Sequence, residues 1–291
     1  MLQDIEPYQF NNEFRDKKPQ SDDYILVFRG EELLFEKTQA GELQFTKVER
    51  LSKLAPDIEE TLIYLFSIDK SAFYYSSQAV KETADLCYMN IQNIRETLPN
   101  LMAFVAATAG HLAQWYDSNR YCGKCAKPFI HSKTERALRC DVCGITKYPK
   151  ICPAIIVGII DKDKDKILLT RYADRPYKKL GLVAGFMEIG ETLETTVKRE
   201  VMEEVGLRVK NIKYFKSQPW PFSQSILVGF FAELDGNAEV NIDSKELSEA
   251  TWFSRDEIPL FDSYISLTNE MIETFRTGKL ISTLAQTLEI D

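Results

Sequence analysis

The segment Gly185-Phe186-Met187-Glu188-Ile189-Gly190-Glu191-Thr192-Leu193-Glu194-Thr195-Thr196-Val197-Lys198-Arg199-Glu200-Val201-Met202-Glu203-Glu204-Val205-Gly206-Leu207 constrains this chain most. Its spacing predicts a helix from about Thr192 to Val205. There Glu200, Glu203 and Glu204 stand at i, i+3 and i+4, so three carboxylates share one face. Leu193, Val197, Val201 and Val205 form an apolar stripe on the opposite side, which has to pack on a sheet. Three crowded carboxylates left alone repel one another and weaken a helix. A set of hard oxygen donors is instead what Mg²⁺ or Mn²⁺ needs, and such an ion can bridge to a pyrophosphate. Gly185 and Gly190 permit a tight loop before the helix, and Gly206 suits its C-terminal end. Arg199 neighbours the acidic face and is placed to pair with Glu191 and orient that loop.

The remaining sequence narrows the alternatives. At 291 residues, 44% of them hydrophobic, the chain can fill more than one core. A net charge of -8 argues against uniform attraction to a polyanion, so a phosphate-bearing substrate has to be held locally by cations among carboxylates. The N-terminus carries acid where a secretory signal carries base, and runs such as Ala154-Ile155-Ile156-Val157-Gly158-Ile159-Ile160 are far shorter than the roughly 20 residues of a membrane span. A cytoplasmic protein with no membrane partner is expected, and its thiols stay reduced. Only His111 and His131 are present, which disfavours Ser-His-Asp, Cys-His and His-ligated metal chemistry.

Short apolar runs at Tyr24 to Phe28, Leu33 to Phe35, Leu62 to Phe66 and Phe73 to Tyr75 predict a small sheet. Helical spacing between Ala79 and Asn119 predicts two helices divided by Pro99. After residue 150, strands are expected at Ala154 to Asp161, Ile167 to Arg171, Tyr214 to Gln218, Ile226 to Leu234 and Ala250 to Phe253. A glycine-bounded loop precedes the long helix, and helical segments follow at the C-terminus.

Between these regions lies a module with four cysteines, Cys122-Gly123-Lys124-Cys125 and Cys140-Asp141-Val142-Cys143. Each CxxC turn offers two thiolates, and four close a tetrahedral structural Zn²⁺ site with no coordination position left for catalysis. One zinc per chain is expected, and His131 is not needed as a ligand. Residues 120–150 carry eight Lys and Arg against two acids. Charge on a small solvated loop reads first as solubilising, with RNA phosphate contact as the alternative. Cys87 and Cys152 read as small apolar side chains.

The spacing from Gly185 through Glu191, Arg199-Glu200, Glu203-Glu204 and Gly206 is the complete Nudix box, so the chain resembles the Nudix hydrolases. Ser217-Gln218-Pro219-Trp220-Pro221-Phe222-Ser223-Gln224-Ser225 resembles the SQPWPFPxS signature of the NADH pyrophosphatase subfamily, which includes enzymes that remove NAD caps from RNA. Ser223 replaces a proline, and Ser266 stands where that family usually has alanine; both changes bear on the nucleotide pocket.

The resemblance implies an α/β fold: a Nudix α/β/α sandwich with a mixed sheet at 151–291, preceded by an N-terminal α+β domain at 1–119 and the zinc ribbon at 120–150. It implies metal-dependent hydrolysis of the pyrophosphate bond of NADH or NAD⁺ to nicotinamide mononucleotide and AMP, extending to NAD caps on RNA, by a homodimer. Catalytic Mg²⁺ or Mn²⁺ would be held by the carbonyl of Ala184 and by Glu200, Glu204 and Glu246, with Glu203 ligating or activating water. Tyr148 and Phe186 would stack the nicotinamide. Gln218, Pro219, Trp220, Pro221, Phe222, Ser223, Gln224, Ser225 and Ser266 would line the nucleotide site, with Arg95 and Glu135 as further contacts. Two alternatives remain: a Nudix hydrolase of another dinucleotide such as ADP-ribose, and a non-catalytic nucleotide- or RNA-binding regulator.

Overall fold

The computed structural model describes residues 1–94, 97–173, 180–261 and 265–279. The chain divides into two compact units. One holds Leu2–Lys150 with Pro221–Gln224; the other holds Met1, Ile151–Trp220 and the chain from Ser225.

In the first unit an eight-stranded sheet runs in the spatial order Phe10–Asn11, Ile63–Ile68, Ser71–Ser76, Tyr24–Arg29, Glu32–Lys37, Leu43–Gln44. Thr46–Lys47 lies beside Tyr24–Arg29, and Leu86–Asn90 beside Glu32–Lys37. The four apolar runs expected as strands are all strands. Of the two expected helices only the second forms in full, as Asn100–Ser118, and it buries Ala103, Phe104, Ala107 and Trp115 against Phe28, Phe35 and Phe66 of the sheet. The region before Pro99 is a correction. Leu86–Asn90 is a strand in antiparallel register with Glu32–Lys37, followed only by the short helix Ile91–Ile94. Leu86 and Tyr88 are buried while Cys87 is only partly so, a period of two that satisfies the backbone through the neighbouring strand.

The cysteine module packs within this unit. Its three short strands, Ile130–His131, Leu138–Arg139 and Thr146–Lys147, make a small antiparallel sheet. Leu138 belongs to the same core as the helix Asn100–Ser118, with Phe129 packed against it. Arg136 Nη2 donates to the carbonyls of Asn12 (3.1 Å) and Leu65 (2.5 Å).

The second unit is a mixed six-stranded sheet in the order Val209–Trp220, Ser225–Leu234, Cys152–Asp161, Lys166–Tyr172, Leu247–Ser254, with Val183–Phe186 paired to Cys152–Asp161. Cys152–Asp161 and Ser225–Leu234 are parallel; the other pairs are antiparallel. Because Cys152–Asp161 is central, both its faces are apolar. Ile155, Val157 and Ile159 join one core with Val197, Val201 and Val205 of the helix Leu193–Val205. Ile156 and Ile160 join the other with Leu267, Met271 and Phe275 of the helix Leu267–Arg276. One helix on each face gives the expected α/β/α sandwich. Part of the glycine-bounded segment read as loop is the strand Val183–Phe186, whose register puts Gly185 opposite Ile155. No helix among the described residues is long and apolar enough to cross a membrane.

Candidate active site and metal centres

The helix Leu193–Val205 is fixed at both ends by its own sequence. Thr192 and Thr195 form a reciprocal capping box, and Gly206 at φ +68° closes the C-terminus with N–H bonds to the carbonyls of Met202 and Val201. Because Val197, Val201 and Val205 are wholly buried on the sheet, the acidic face is turned to the side. Glu200 and Glu204 are buried at 8% and 2% exposure. Glu203 is exposed.

Arg199 organises this face. Its Nε and Nη2 donate to Glu191 at 2.6 and 2.9 Å, and Nη2 also donates to the carbonyl of Phe186 at 2.9 Å. Nη1 donates to Glu200 at 2.7 Å and to Glu203 at 3.0 Å. The expected Arg199–Glu191 pair is thus present, as a bidentate fork that a single ammonium could not reproduce. Glu191 further accepts from the N–H of Glu188 at 3.0 Å and the hydroxyl of Thr196 at 2.9 Å. These donors, Arg199 foremost, pull its carboxyl down to about 2. Thr196 is a member of this cluster that sequence reading passed over; its signal was a hydroxyl five residues beyond Glu191 on a helix.

Burial pushes the Glu200 carboxyl upward, Arg199 opposes that, and the charges of Glu203 and Glu246 add to it. Glu246 therefore lies within electrostatic reach of Glu200. The reason is backbone: Asn241 N donates to Val205 O (3.0 Å), Asp243 N to Glu204 O (2.9 Å) and Ala173 N to Glu246 O (2.9 Å), which hangs this loop from the end of the helix. Gly185 is a glycine of necessity. A Cβ there would sit 2.0 Å from Glu200 Cδ and 2.1 and 2.3 Å from its oxygens. The carboxylate lies directly against the strand that carries Ala184, and its oxygens are hard donors of the kind that suit Mg²⁺ or Mn²⁺.

The four cysteines are the one His/Cys/Asp/Glu group among the described residues whose ligand atoms gather at metal-binding separation. Their sulfurs all lie within 4.8 Å of one another. Tetrahedral zinc with Zn–S bonds of about 2.3 Å needs sulfurs about 3.8 Å apart, so the cluster fits that ion. The two turns match, with Ala126 N and Gly144 N donating to Cys122 O and Cys140 O, each at 2.8 Å. Backbone N–H groups of Lys124 and Cys125 pull the Cys122 thiol down to about 7, while its neighbours, Cys125 first, push Cys143 up to about 12. His131 is outside the group and stacks on Tyr116 at 5.3 Å.

The 218–225 segment is distributed. Gln218 is fully buried; its Nε2 donates to Ile265 O (2.8 Å) and its Oε1 accepts from Leu267 N–H (2.7 Å). Both ends of the amide thus bracket Ser266. Ser266 caps the helix Leu267–Arg276, accepting from Asn269 N at 3.3 Å. Pro219 is exposed and Trp220 partly so. Pro221–Ser223 is a turn of 3-10 helix, with Phe222 packed against the core of the helix Asn100–Ser118. Gln224, at φ +53°, donates to the Gln114 side chain, and Ser225 is buried beneath Trp220 O. Phe186 and Tyr148 are both exposed, each on its own unit. Glu135 pairs with Arg139 at 2.9 Å. Arg95 lies outside the described residues.

Residues 152–275 match the NUDIX domain. The chain is 45% identical over 169 residues to the NAD-capped RNA hydrolase NudC of Salmonella heidelberg (strain SL476) and to that of Salmonella typhi, matches that cover 58% of this chain and 65% of each relative. The chain thus spans less than two thirds of the length of these relatives. Among solved structures it is similar to a NUDIX hydrolase from Nitrosomonas europaea (25% identity, TM-score 0.47, covering 56% of this chain and 94% of that one). Its box, its arginine fork and this domain match together place residues 152–275 of the chain, preceded in sequence by a cysteine cluster that fits a zinc ribbon, in the Nudix hydrolase family.

Proposed function

We propose that this protein hydrolyses the pyrophosphate bond of NADH and NAD⁺ to nicotinamide mononucleotide and AMP, and removes NAD caps from RNA. The observation that carries the reading is the Arg199 fork, which locks the loop at Phe186 and Glu191 against Glu200 and Glu203 on one helix face. The names of the relatives support the substrate.

In this reading the Ala184 carbonyl, Glu200, Glu204 and Glu246 hold the catalytic ions. Mg²⁺ or Mn²⁺ there would neutralise the pyrophosphate and acidify an attacking water. Glu203, the exposed member of the face, accepts the proton of that water or joins the ligands. Phe186, its carbonyl fixed by Arg199, offers its ring to the nicotinamide, with Tyr148 of a second copy on the opposite side in a homodimer. Residues 219–225 and Ser266 line the nucleotide, Gln218 braces Ser266, and Arg95 and Glu135 add contacts. The Cys122, Cys125, Cys140 and Cys143 thiolates hold one structural zinc. Residues 1–119, 120–150 and 151–291 act as three modules of a cytoplasmic enzyme.

The test is incubation with NADH, NAD⁺, ADP-ribose and NAD-capped RNA under Mg²⁺ and under Mn²⁺, with products identified. Nicotinamide mononucleotide and AMP from NADH support the reading. Turnover of ADP-ribose alone would replace it.

A further inference from the structure

Thr196 is a buried hydroxyl on the acidic face, and the hydrolytic reading gives it no task. It stands one turn before Glu200 on the helix Leu193–Val205 and has no exposed surface. Its Oγ1 lies 2.9 Å from Glu191 Oε2 and 3.0 Å from the carbonyl of Thr192, yet a hydroxyl has one proton to give. The Thr192 carbonyl is already served twice, by the N–H of Thr196 at 2.9 Å and by the Thr195 hydroxyl at 2.8 Å. Both its lone pairs are taken, so the Thr196 proton goes to the carboxylate, where the charge also makes the stronger bond.

Glu191 Oε2 then accepts from three donors: the N–H of Glu188, the Thr196 hydroxyl and Arg199 Nη2. They are not equivalent. Glu188 belongs to the same loop as Glu191 and moves with it, and Arg199 is a long side chain with 26% of its surface open. Of the three, only Thr196 is wholly buried, its stiff β-branched side chain packed on all sides. One hydroxyl therefore ties the direction of the Glu191 carboxylate to the body of the helix. From Glu191 that direction passes to Arg199, whose guanidinium also bonds Glu200, Glu203 and the carbonyl of Phe186.

We propose that Thr196 is a positioning residue for hydrolysis: its hydroxyl fixes the Glu191 carboxylate, and through it the Arg199 fork, in the arrangement that sets Glu200 and Glu203. The proposal rests on the hydrolytic reading of the acidic face and adds to it a residue that touches neither substrate nor metal.

Two variants separate the hydroxyl from the methyl group. Thr196→Val keeps the shape and deletes the donor, whereas Thr196→Ser keeps the donor and deletes a buried methyl. On the full-length, zinc-loaded protein, kcat and KM for NADH, the Mn²⁺ dissociation constant by electron paramagnetic resonance without substrate, and the melting temperature are measured for each. Thr196→Val should lower kcat about tenfold with KM nearly unchanged, and weaken Mn²⁺ binding by a similar factor, the lower end of what groups behind metal ligands contribute. Thr196→Ser should recover both to within about twofold of wild type. Both variants should melt below wild type, the serine for its cavity and the valine for its lost bond, so a loss that merely follows stability would appear in both. Valine within twofold of wild type in kcat and in Mn²⁺ binding, or a loss shared equally by serine, would overturn the proposal. If wild type does not turn over NADH, the hydrolytic reading falls and the Mn²⁺ constants decide Thr196: weakening in valine that serine restores upholds the positioning role, and equal constants overturn it.

Discussion

Gly185→Ala isolates the geometry of the acidic corner. The methyl group would stand 2.0 Å from Glu200 Cδ, whereas carbon atoms in contact sit about 3.5 Å apart, so the carboxylate has to retreat by about 1.5 Å. It can do so, being the end of a flexible side chain, and Gly185 lies on an ordinary strand outside the left-handed region. The shift strains the 2.7 Å bond from Arg199 to the buried Glu200, so stability should fall modestly, by about 1 kcal/mol. Activity should not survive as well. A misplacement of about 1 Å costs about a hundredfold in a preorganised site, so kcat for NADH should fall by at least that factor. Steady-state kinetics under saturating Mn²⁺, paired with a thermal melt, separates the two effects. Turnover close to wild type would show that Glu200 need not occupy its position against the strand.

Four further outcomes are expected. Glu204→Gln should lower kcat by about a thousandfold with the fold intact, measured by kinetics and circular dichroism; near-normal turnover at saturating metal would remove Glu204 from the mechanism. Elemental analysis of protein purified without chelators should find about one zinc per chain, and hydrolysis should still need added Mg²⁺ or Mn²⁺. Because Arg199 holds the Glu191 carboxyl at about 2, below its usual 4.5, the stability it contributes is full above pH 4.5 and lost as pH falls toward 2. The melting-temperature gap between wild type and Glu191→Gln should follow that window, and a gap closing near neutral pH would contradict the clamp. Refolding Tyr148→Ala with Glu204→Gln should return about a quarter of wild-type activity if each site draws Tyr148 from the partner, provided each parent is clearly impaired; activity no higher than the parental average would refute the shared site.

Sequence reading reached furthest where chemistry and local periodicity coincide. The helix Leu193–Val205, its buried valines and the Arg199–Glu191 pair follow from spacing within one short segment, because helical neighbours are set by the backbone alone. It failed at Leu86–Asn90, where a few apolar residues suit a helix or a strand equally. The decision came from an open edge of Glu32–Lys37, some fifty residues earlier in the chain. It also placed Gln218 by motif, whereas the direction of that amide is decided by Ile265 and Leu267, whose approach no local pattern announces. The strand Val183–Phe186 was hidden by its glycine, which suggests a loop until a carboxylate is found to occupy the missing side chain's space.

The bracing of Ser266 by Gln218 changes how mutational data on this protein are to be interpreted. A scan of the segment by activity would score Gln218 beside Trp220 and Pro219, since losing the amide frees the start of the helix Leu267–Arg276 and shifts residue 266. Kinetic loss would then register as substrate recognition at a side chain that is sealed from solvent. Positions 218 and 266 form one structural unit: a change at 266 keeps its place only if the glutamine beneath it still finds the same two backbone groups. Engineering of nucleotide preference in this fold should vary the exposed proline and the half-exposed tryptophan first, and leave the glutamine alone.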